Sequence, residues 1–311
     1  MAAKDVIVLN SHGVGQYAYC DHMPAWGETL SVSNWHIAED GGKGSNVAVA
    51  LGRLGVDVAY VGKVGNDPWG DVGEKWMREA GADTTYLYRD DSVATGTGLI
   101  LVGPDGQNAI IDGDSSSRAL TVEEVDAALD AMRGSRYLVA GFEVPPKVAL
   151  AGARHAHDLG MVVTLNPSPL PPEPLQGLDF VDLLFVNEVE AAQVSGLARD
   201  DEPRKLAQGV LDATGARGVV VTLGEAGSCA LTPQDGFLTV PGVHVDHVEN
   251  TAGAGDGFMA ATVAGLVKGK SLRDAMDWAS YYSALAVTID GTIPAYRPTD
   301  EVEAFIEAHR R

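Results

Sequence analysis

Short runs of β-branched and other apolar residues recur along the chain and predict buried strands. Most of these runs are continuously apolar rather than alternating, which is typical of strands covered on both faces of a parallel sheet. The predicted strands lie at residues 5–10, 56–62, 137–142, 161–166, 183–187 and 218–224.

Helical patterns occupy the segments between these runs. Residues 45–55 place apolar side chains at the spacing of one helix face. Thr121 and Glu124 have the spacing of a capping box, and residues 145–160 begin with prolines and end on a glycine. Strands that alternate with helices predict an α/β fold, with a mostly parallel sheet and helices on both sides.

Two segments break this alternation, at residues 11–40 and 92–113. The first contains Pro24 and Gly27 and has no helical period, and the second reads as a hairpin with a turn at 103–106. We expect both segments to leave the main body and pair into a small β-sheet, which could serve as a lid. Residues 1–311 are then a single domain with an appended lid.

The composition limits the partners and the compartment. The 311 residues include 43 acidic and 22 basic residues, a formal net charge of −21, which argues against nucleic acid or an anionic membrane as a partner. No apolar run reaches the roughly 18 residues of a membrane helix. Cys20 and Cys229 are far apart and lack a Cys-x-x-Cys pattern, and the N-terminus shows no secretion signal, so we expect a cytoplasmic protein.

The stretch NTAGAGDGF, residues 250–258, places one carboxylate in a loop that is otherwise almost free of side chains. If a helix begins near Ala254 or Gly255, its first amide groups and the positive end of its dipole face outward and attract an anion. A carboxylate beside a phosphate site needs a reason, and Asp256 can accept the proton of an attacking hydroxyl. The plainer interpretation is a helix cap with small residues for tight packing.

A second glycine-rich loop, GGKGSNVAVALGRLG at residues 41–55, also enters a helix. Glycines at 41, 42 and 44 would let the backbone approach a ligand, and Lys43 and Asn46 supply polar groups on that face. The loop does not fit a P-loop pattern. A tight strand–helix turn is the alternative.

The two loops in this order resemble the two signature regions of the ribokinase-like, or PfkB, carbohydrate kinases. Further matches run along nearly the whole chain, and the ribokinase branch is the most similar. These matches are WGETL (26–30), GFEVP (141–145), NPSP (166–169), VNEVEA (186–191), VTLGEAGS (221–228) and SALAVTIDGTIPAYRP (283–298). The resemblance implies a three-layer α/β/α sandwich with a β-sheet lid.

The resemblance also implies a role for each matching residue. Asp256 would be the base, and the backbone around it, Gly253, Ala254 and Gly255 included, would form the anion hole. Residues expected to contact the sugar are Gly42, Lys43, Asn46 and Glu143, with Gly13, Gly15 and Thr97 at the border of that site. Residues expected to bind ATP are Asn187, Thr222, Gly224 and Gly227, and Glu190 would hold Mg²⁺ through water.

Two departures from the family pattern affect specificity. The family has an Asn-x-Asp after the first strand that grips sugar hydroxyls, and here Gly13 and Gly15 occupy its two positions. Ribose is therefore doubtful as the acceptor, and His12, Gln16 or Thr97 would be substitute contacts. The second signature usually carries an Asp that helps hold a monovalent cation, where this chain has Asn250, so K⁺ dependence is an open question.

Other patterns in the sequence suggest a dinucleotide site or a metal site, but each lacks a part that such a site needs. GVGQYA, residues 13–18, fits a dinucleotide fingerprint but lacks the helix that must follow it. His155 and His157 point in different directions on a predicted helix, and His244 and His247 lack a third metal ligand. The exposed edges of the predicted lid favour a homodimer.

The sequence thus predicts an ATP-dependent kinase for a primary hydroxyl of a monosaccharide or sugar-like polyol. Replacement of the sugar-gripping pair by glycines would also suit a nucleoside, whose additional ring needs room. A catalytically silent sugar-binding regulator is the alternative outside the enzymes, although the intact Asp256 argues against it.

Overall fold

The computed structural model of the chain describes residues 2–32, 34–37, 40–104, 108–113 and 115–309, which form two β-sheets and a set of α-helices. The strands are β1 (Val6–Leu9), β2 (Gly13–Tyr19), β3 (Asn34–Ile37), β4 (Val58–Gly65), β5 (Asp83–Asp90), β6 (Gly96–Val102), β7 (Asn108–Asp112), β8 (Tyr137–Gly141), β9 (Val162–Asn166), β10 (Leu183–Asn187), β11 (Val219–Thr222), β12 (Ser228–Thr232) and β13 (Gly236–Val240). The α-helices are α1 (Gly42–Arg53), α2 (Pro68–Glu79), α3 (Val122–Ala131), α4 (Pro146–Asp158), α5 (Glu188–Ser195), α6 (Pro203–Thr214), α7 (Ala254–Val267), α8 (Leu272–Ala286) and α9 (Thr299–His309).

The large sheet contains nine strands of the described residues in the order β13-β12-β11-β10-β9-β8-β1-β4-β5. Neighbouring strands from β5 to β11 are parallel, and only β12 and β13 run antiparallel at one edge. All six strands expected from the continuously apolar runs belong to this sheet, so that prediction is confirmed.

Helices cover both faces of the large sheet, as the doubly buried strands require. Helices α1, α7 and α8 pack with one face around a core that includes Leu51, Met276 and Tyr282. Helices α3, α4 and α6 pack on the other face around a second core that includes Leu129 and Leu165. The predicted three-layer α/β/α arrangement is therefore confirmed.

The helix boundaries follow local sequence signals. Thr121 and Glu124 form the expected capping box at the start of α3. Helix α4 begins at Pro146, and Gly160, with φ of 84°, ends the turn that follows it. Asp67 caps α2 by accepting hydrogen bonds from the amides of Trp69 and Gly70.

The strand order reverses between β1 and β8, which lie side by side in the middle of the sheet. From β1 the chain continues to β4 and β5 on one side, and from β8 it continues through β9, β10 and β11 on the other. A crevice opens at the carboxyl ends of the strands wherever the order of a parallel sheet reverses. The fold therefore places a binding crevice where Asn10–His12 leave β1 and Phe142–Val144 leave β8.

The segments that broke the alternation form a second, small sheet in the order β3-β2-β6-β7. Strands β2 and β6 pair in parallel, with Gly13 opposite Gly96 and Gly15 opposite Gly98. Strands β6 and β7 pair as the expected antiparallel hairpin. The turn predicted at residues 103–106 lies partly outside the described residues.

Three strands of the large sheet lack the continuous apolar runs of its centre. Strand β5 has the sequence DTTYLYRD, in which only Thr84 and Leu87 are buried. Strands β12 and β13 form the antiparallel hairpin at the opposite edge. Edge strands need fewer apolar residues because a single neighbour and part of one face cover them, so an apolar-run criterion misses them.

Candidate active site

Helix α7 begins at Ala254, at the carboxyl side of the large sheet, as the sequence predicted. Gly253 precedes it with φ of 72°, a left-handed conformation that glycine adopts without strain. Gly255 is exposed, and a Cβ atom added there would meet nothing within 4 Å. The helix therefore begins beside open space, which suits an anion at a helix N-terminus, although the Ala254 amide already donates to the Thr251 carbonyl at 3.3 Å.

The Asp256 carboxylate lies at this helix tip and not in solvent, with its side chain 12% exposed. Its Oδ2 accepts a hydrogen bond of 3.0 Å from Nδ2 of Asn46, and its Oδ1 lies 3.7 Å from Nζ of Lys43. Burial raises the pKa of Asp256, while Lys43 and the Asn46 bond lower it and favour the ionised form. The residues carrying the two signatures, about 210 positions apart, thus meet at one point.

Glu143 follows β8 and stands on the opposite side of the crevice. Its Oε2 accepts hydrogen bonds from the Ser11 hydroxyl at 2.6 Å and from the Lys43 amide at 2.9 Å. Burial raises the pKa of Glu143 to about 7. Because Ser11 follows β1, this bond joins the two strands of the crevice.

The ammonium group of Lys43 interacts electrostatically with the carboxylates of both Asp256 and Glu143. The negative charge of Asp256 raises the pKa of Lys43 above its ordinary value, and Glu143, Glu190 and Asp40 act in the same direction. Lys43 therefore stays protonated and partly neutralises a site that several acids surround. A cation there also offsets the repulsion that the net negative charge of the chain exerts on a phosphate ligand.

Two glycines of the first loop do not have the role that the sequence analysis predicted. Only Gly42, with φ of 70°, lies within reach of Glu143 and of the Gly13 amide. A Cβ atom at Gly44 would collide with the carbonyl oxygen of Ser11, and one at Gly41 would collide with the Ser45 hydroxyl. Gly41 and Gly44 therefore serve close packing rather than the approach of a ligand.

Gly13 and Gly15 border the site from the small sheet, whereas Thr97 belongs to the other face of that sheet. The Gly13 amide donates to the carbonyl of Gly41 at 3.1 Å, which ties the small sheet to the first glycine loop. A Cβ atom at Gly15 would lie 3.7 Å from Cβ of Asp40. Thr97 lies opposite Val14, between the two glycines, in the parallel pairing of β2 with β6.

The expectation that His12 contacts the acceptor is wrong. Its ring is 1% exposed, with Nδ1 2.9 Å from both the Gly41 carbonyl and the Ser45 hydroxyl. Nε2 lies 3.2 Å from the Trp69 carbonyl, and the ring packs directly against Gly73 of α2. Burial lowers the pKa of His12 to about 4, so it is a neutral packing residue.

Asn187 and Glu190, the expected nucleotide and Mg²⁺ residues, lie at the end of β10 and the start of α5. They form a capping box, in which Asn187 Oδ1 accepts from the Glu190 amide at 2.8 Å and Glu190 Oε2 accepts from the Asn187 amide at 3.0 Å. The negative charge of Glu190 also contributes to the raised pKa of Lys43. The capping box fixes both side chains at the carboxyl edge of the sheet.

The other expected ATP residues extend this edge. Thr222 ends β11 directly opposite Asn187 in the parallel pairing. Gly224 has open space around it, with φ of 56°. Gly227, with φ of 99°, packs against the backbone of residues 240–242, so a side chain there would displace that segment.

Asn250, the expected monovalent-cation residue, is held by hydrogen bonds on both sides of its amide. Its Oδ1 accepts from the Ala252 amide at 2.9 Å, and its Nδ2 donates to Asp290 Oδ1 at 3.1 Å. The family pattern has a carboxylate at position 250. In this chain the Asp290 carboxylate lies beside that position instead.

A cavity of about 290 Å³ lies between the small sheet and the loops around residues 250 and 290. The rings of Tyr17 and Tyr19 lie nearly parallel to that of His36, at centroid distances of 5.8 and 6.0 Å, and all three residues line the cavity. Asp40 lines the other side, next to Gly15. The cavity is therefore a candidate for the part of an acceptor that lies beyond the reacting hydroxyl.

The loop at residues 291–298 links the two signature regions, and the sequence analysis assigned it no individual role. The Thr292 hydroxyl lies 2.8 Å from Asn46 Oδ1, and the Tyr296 hydroxyl donates to the Gly253 carbonyl at 3.0 Å. Arg53, at the end of α1, donates to the carbonyls of residues 293 and 296. The contacts with α1 span some 240 positions of sequence and the one with Gly253 spans 43, and only the spacing of the family pattern could have pointed to them.

The alternative sites do not form. No helix follows β2, so the dinucleotide fingerprint at residues 13–18 lacks the element that would bind a pyrophosphate. His244 and His247 are exposed, and they pair with Asp246 and Glu249. Among the described residues, no group of three or more His, Cys, Asp or Glu side chains could hold a metal ion, and no helix has the length and apolarity to span a membrane.

Comparison with known proteins agrees with this geometry. Residues 27–300 match the model of the pfkB family of carbohydrate kinases. The chain is 30% identical to ribokinase of Staphylococcus aureus, covering 96% of this chain and 99% of that protein. It is 29% identical to deoxyribokinase of Salmonella typhi, covering 97% and 98% of the two chains.

Solved structures show the same fold. Ribokinase from Thermotoga maritima superimposes with a TM-score of 0.87 at 26% identity, covering 98% of this chain and 99% of that one. Ribokinase from Cryptococcus neoformans, solved in complex with ADP, gives a TM-score of 0.83 at 26% identity, covering 97% and 99%.

The fold and the paired glycine loops thus define a phosphotransferase whose acceptor is an alcohol. The family match spans most of the chain, and the chain therefore belongs to the pfkB family of carbohydrate kinases.

Proposed function

We propose that this enzyme transfers the γ-phosphoryl group of ATP to a primary hydroxyl of a monosaccharide or sugar-like polyol. The observation that carries the proposal is the meeting of Asp256, Lys43 and Asn46 at the open N-terminus of α7. Relatives support the same donor and acceptor classes, since similar proteins are ribokinases and a deoxyribokinase, one of them solved with ADP.

In this mechanism Asp256 accepts the proton of the attacking hydroxyl. The Asn46 amide and the Lys43 ammonium favour its ionised form and oppose the burial that raises its pKa. A positioned general base contributes about 10²–10⁴-fold to the rate of such a reaction. The hydroxyl attacks the γ-phosphorus, the bond to the β–γ bridging oxygen breaks, and ADP leaves.

The main-chain amides at the start of α7 stabilise the negative charge of the transferring group. Gly255 and Asp256 would supply these donors after the left-handed Gly253, and the Ala254 amide would join them on leaving the Thr251 carbonyl, to which it donates at 3.3 Å. Donors of this kind act at no reorganisation cost because the helix already holds them in place. Lys43 adds a positive charge on the acceptor side.

The nucleotide would lie along the carboxyl edge of β10 and β11, between Asn187, Thr222, Gly224 and Gly227. Glu190 fits a Mg²⁺ site, because carboxylate oxygens suit this ion and its negative charge acts on Lys43 of the first glycine-rich loop. When bound there through water, Mg²⁺ would neutralise the nucleotide phosphates. A monovalent cation near Asn250 is part of the proposal, with the Asp290 carboxylate as the nearby charge.

The acceptor would contact Gly42, Lys43, Asn46 and Glu143. Gly13 and Gly15 supply no side chain to grip hydroxyls, so ribose is a poor fit and a larger acceptor is expected. Closure of the small sheet over the acceptor would exclude water, which otherwise competes for the phosphoryl group.

A nucleoside is the second candidate acceptor, and the aromatic-walled cavity favours it. Tyr17, Tyr19 and His36 offer stacked ring faces, next to the space left by Gly15. A planar base packs well against such faces. The sugar of a nucleoside would keep its primary hydroxyl at Asp256.

The small sheet also offers a surface for a second copy of the chain. Its exposed apolar side chains include Trp35, Ile37 and Ile111, at 59%, 48% and 60% exposure. Strands β3 and β7 have unpaired edges, which tend to find partners. We propose a homodimer through this sheet, and light scattering that shows only monomer would contradict it.

The direct test measures ADP release from ATP with a panel of pentoses, hexoses, polyols and nucleosides. The proposal expects turnover with at least one sugar or polyol, and thermal stabilisation by the same compound in the absence of ATP. Binding without ADP release by any compound in the panel would indicate a regulator. Turnover confined to nucleosides would favour the second candidate.

A further inference from the structure

The Asn46 side chain can serve Asp256 in only one of the two orientations of its amide. In the observed orientation Nδ2 donates to Asp256 Oδ2 at 3.0 Å and faces Asp40 Oδ1 at 3.4 Å. Rotation of the amide by half a turn would place Oδ1 against both carboxylates. An acceptor against two acceptors is repulsive, so the base depends on whatever holds this amide in place.

Two donors fix the orientation from the other side. The Gly41 amide donates to Asn46 Oδ1 at 3.3 Å, and the Thr292 hydroxyl lies 2.8 Å from the same oxygen. Because Oδ1 can only accept, the short contact requires the hydroxyl hydrogen of Thr292 to point at Asn46. The same hydroxyl lies 3.1 Å from Asp40 Oδ1, but it has a single hydrogen to give.

Of the two donors to Asn46 Oδ1, the surroundings of Thr292 make its hydroxyl the one that holds the amide more firmly. Its side chain is 1% exposed, so water does not replace the bond readily. The loop that carries it is tied to α1 by Arg53, through the carbonyls of Ile293 and Tyr296. Thr292 and Asn46 therefore keep a fixed relation although they are 246 positions apart.

We propose that Thr292 is a positioning residue for phosphoryl transfer, whose hydroxyl fixes the Asn46 amide so that it donates to Asp256. The inference rests on the proposed function, in which Asp256 is the base. Thr292 touches neither the acceptor nor the phosphoryl group in this account, and it acts only through Asn46.

Other charged and titratable groups also act on Asp256, and all remain in place when Thr292 changes. Lys43 stabilises its ionised form from α1, whereas Asp40 destabilises it. Glu143 and Tyr296 interact with Asp256 from the β8 end and from the loop at 291–298. Because the Thr292 hydroxyl also lies 3.1 Å from Asp40 Oδ1, the comparison is repeated with Asp40→Asn in the background, and a change in the Asp256 titration that persists there reports the Asn46 bond.

The test compares Thr292→Val, which keeps the shape and removes the hydroxyl, with Thr292→Ser, which keeps the hydroxyl. Thr214→Val is the matched control, because it removes a buried hydroxyl that donates to the Val210 carbonyl within α6 and accepts from the Ala216 amide. For each variant, kcat and KM are measured across pH. The pKa of the Asp256 carboxyl is followed by NMR of ¹³C-labelled aspartate, assigned with Asp256→Asn.

Loss of a bond to the ionised carboxylate raises the pKa of Asp256, so the acid limb of kcat moves to higher pH. For Thr292→Val we expect a shift of about one pH unit, so that kcat is about tenfold lower on the acid limb and little changed on the plateau, with KM little changed. Thr292→Ser should restore most of both, and Thr214→Val should change neither.

An unshifted Asp256 titration in folded Thr292→Val would overturn the inference, and so would equal losses in Thr292→Val and Thr292→Ser. Failure of the proposed function would look different, since the wild-type chain would then release no ADP with any acceptor. The NMR titration needs no turnover, so it decides the role of Thr292 in either case.

Discussion

The two glycine-rich loops look alike in sequence and behave differently in the structure. In the first loop, Gly41 and Gly44 are packed so tightly that a methyl group would collide with Ser45 or Ser11. In the second loop, Gly255 faces open space with no neighbour within 4 Å. The first loop therefore brings side chains to the site, and the second brings main-chain amides.

Glycine therefore has two different roles here: it permits close packing in the first loop and leaves space for a ligand in the second. Close packing of Gly44 on Ser11 sets the position of Lys43 and Asn46, whose side chains act on Asp256. The absence of side chains around Gly255 leaves room for a phosphoryl group. Stability should therefore depend on the first loop and turnover on the second.

The largest expected effects come from placing one methyl group in each loop. Gly255→Ala should lower kcat/KM by about 10²-fold, the loss typical of one anion-hole donor, because the methyl group enters the phosphoryl space. Its free energy of unfolding should stay unchanged or rise, since alanine favours a helix. Gly44→Ala should instead lower the free energy of unfolding by about 1–3 kcal/mol through overpacking.

Urea unfolding and ADP release, measured on both variants, check this pair. A Gly255→Ala protein with full turnover would contradict an anion hole at the start of α7. A Gly44→Ala protein as stable as the wild type would contradict the close packing of Gly44 against Ser11.

The next effect concerns Glu143, which holds the first loop through the Lys43 amide. Burial raises the pKa of Glu143 to about 7 from an ordinary 4.5. Between these values the folded chain keeps a proton that the unfolded chain has released, so the contribution of Glu143 to stability falls as pH rises. The fall is at most about 1.4 kcal/mol per pH unit.

Glu143→Gln removes this titration and can keep the bonds from Ser11 and Lys43 to its oxygen. The difference in free energy of unfolding between wild type and Glu143→Gln should therefore decrease from pH 4.5 to 7 and level off outside that window. Urea unfolding at four pH values measures it. A difference independent of pH would mean that Glu143 titrates normally.

A smaller effect is expected where the second loop is anchored. Tyr296→Phe removes the hydroxyl that donates to the Gly253 carbonyl, and should cost about 1 kcal/mol in the free energy of unfolding. Because Gly253 orients the amides of α7, kcat should fall by about two- to fivefold, a change equivalent to about 0.4–1 kcal/mol.

Tyr88→Phe is the matched control, since its hydroxyl also donates to a backbone carbonyl, that of Glu124, far from the site. Both variants should lose similar stability by thermal unfolding, and only Tyr296→Phe should lose turnover. Equal turnover in the two variants would show that the bond to Gly253 does not position the helix tip.

Much of this architecture could be predicted from local sequence. Continuous apolar runs located the central strands, and the cap signals of α3 and α4 were correct because they depend on residues a few positions apart. Strand β5 was not predicted, because its pattern TTYLYR is that of a half-buried edge strand. Local patterns thus identify the centre of the sheet better than its borders.

The candidate site was predictable only in part. The pairing of Asp256 with Lys43 and Asn46 followed from the family pattern, but the bond from Thr292 to Asn46 joins residues 246 apart and has no local signal. His12 looked like a substitute contact because it follows the first strand. Its ring instead fills the space that Gly73 leaves in α2, a contact that only tertiary packing determines.

The most direct measurement of the central claim is a single-turnover experiment with wild type and Asp256→Asn, using the best acceptor of the panel. ADP and phosphorylated acceptor are quantified together, and calorimetry gives the affinity for each ligand. The account predicts equal amounts of both products from the wild type. For Asp256→Asn it predicts a rate lower by about 10²–10⁴-fold with the affinities retained. Undiminished transfer by a correctly folded Asp256→Asn protein would contradict it.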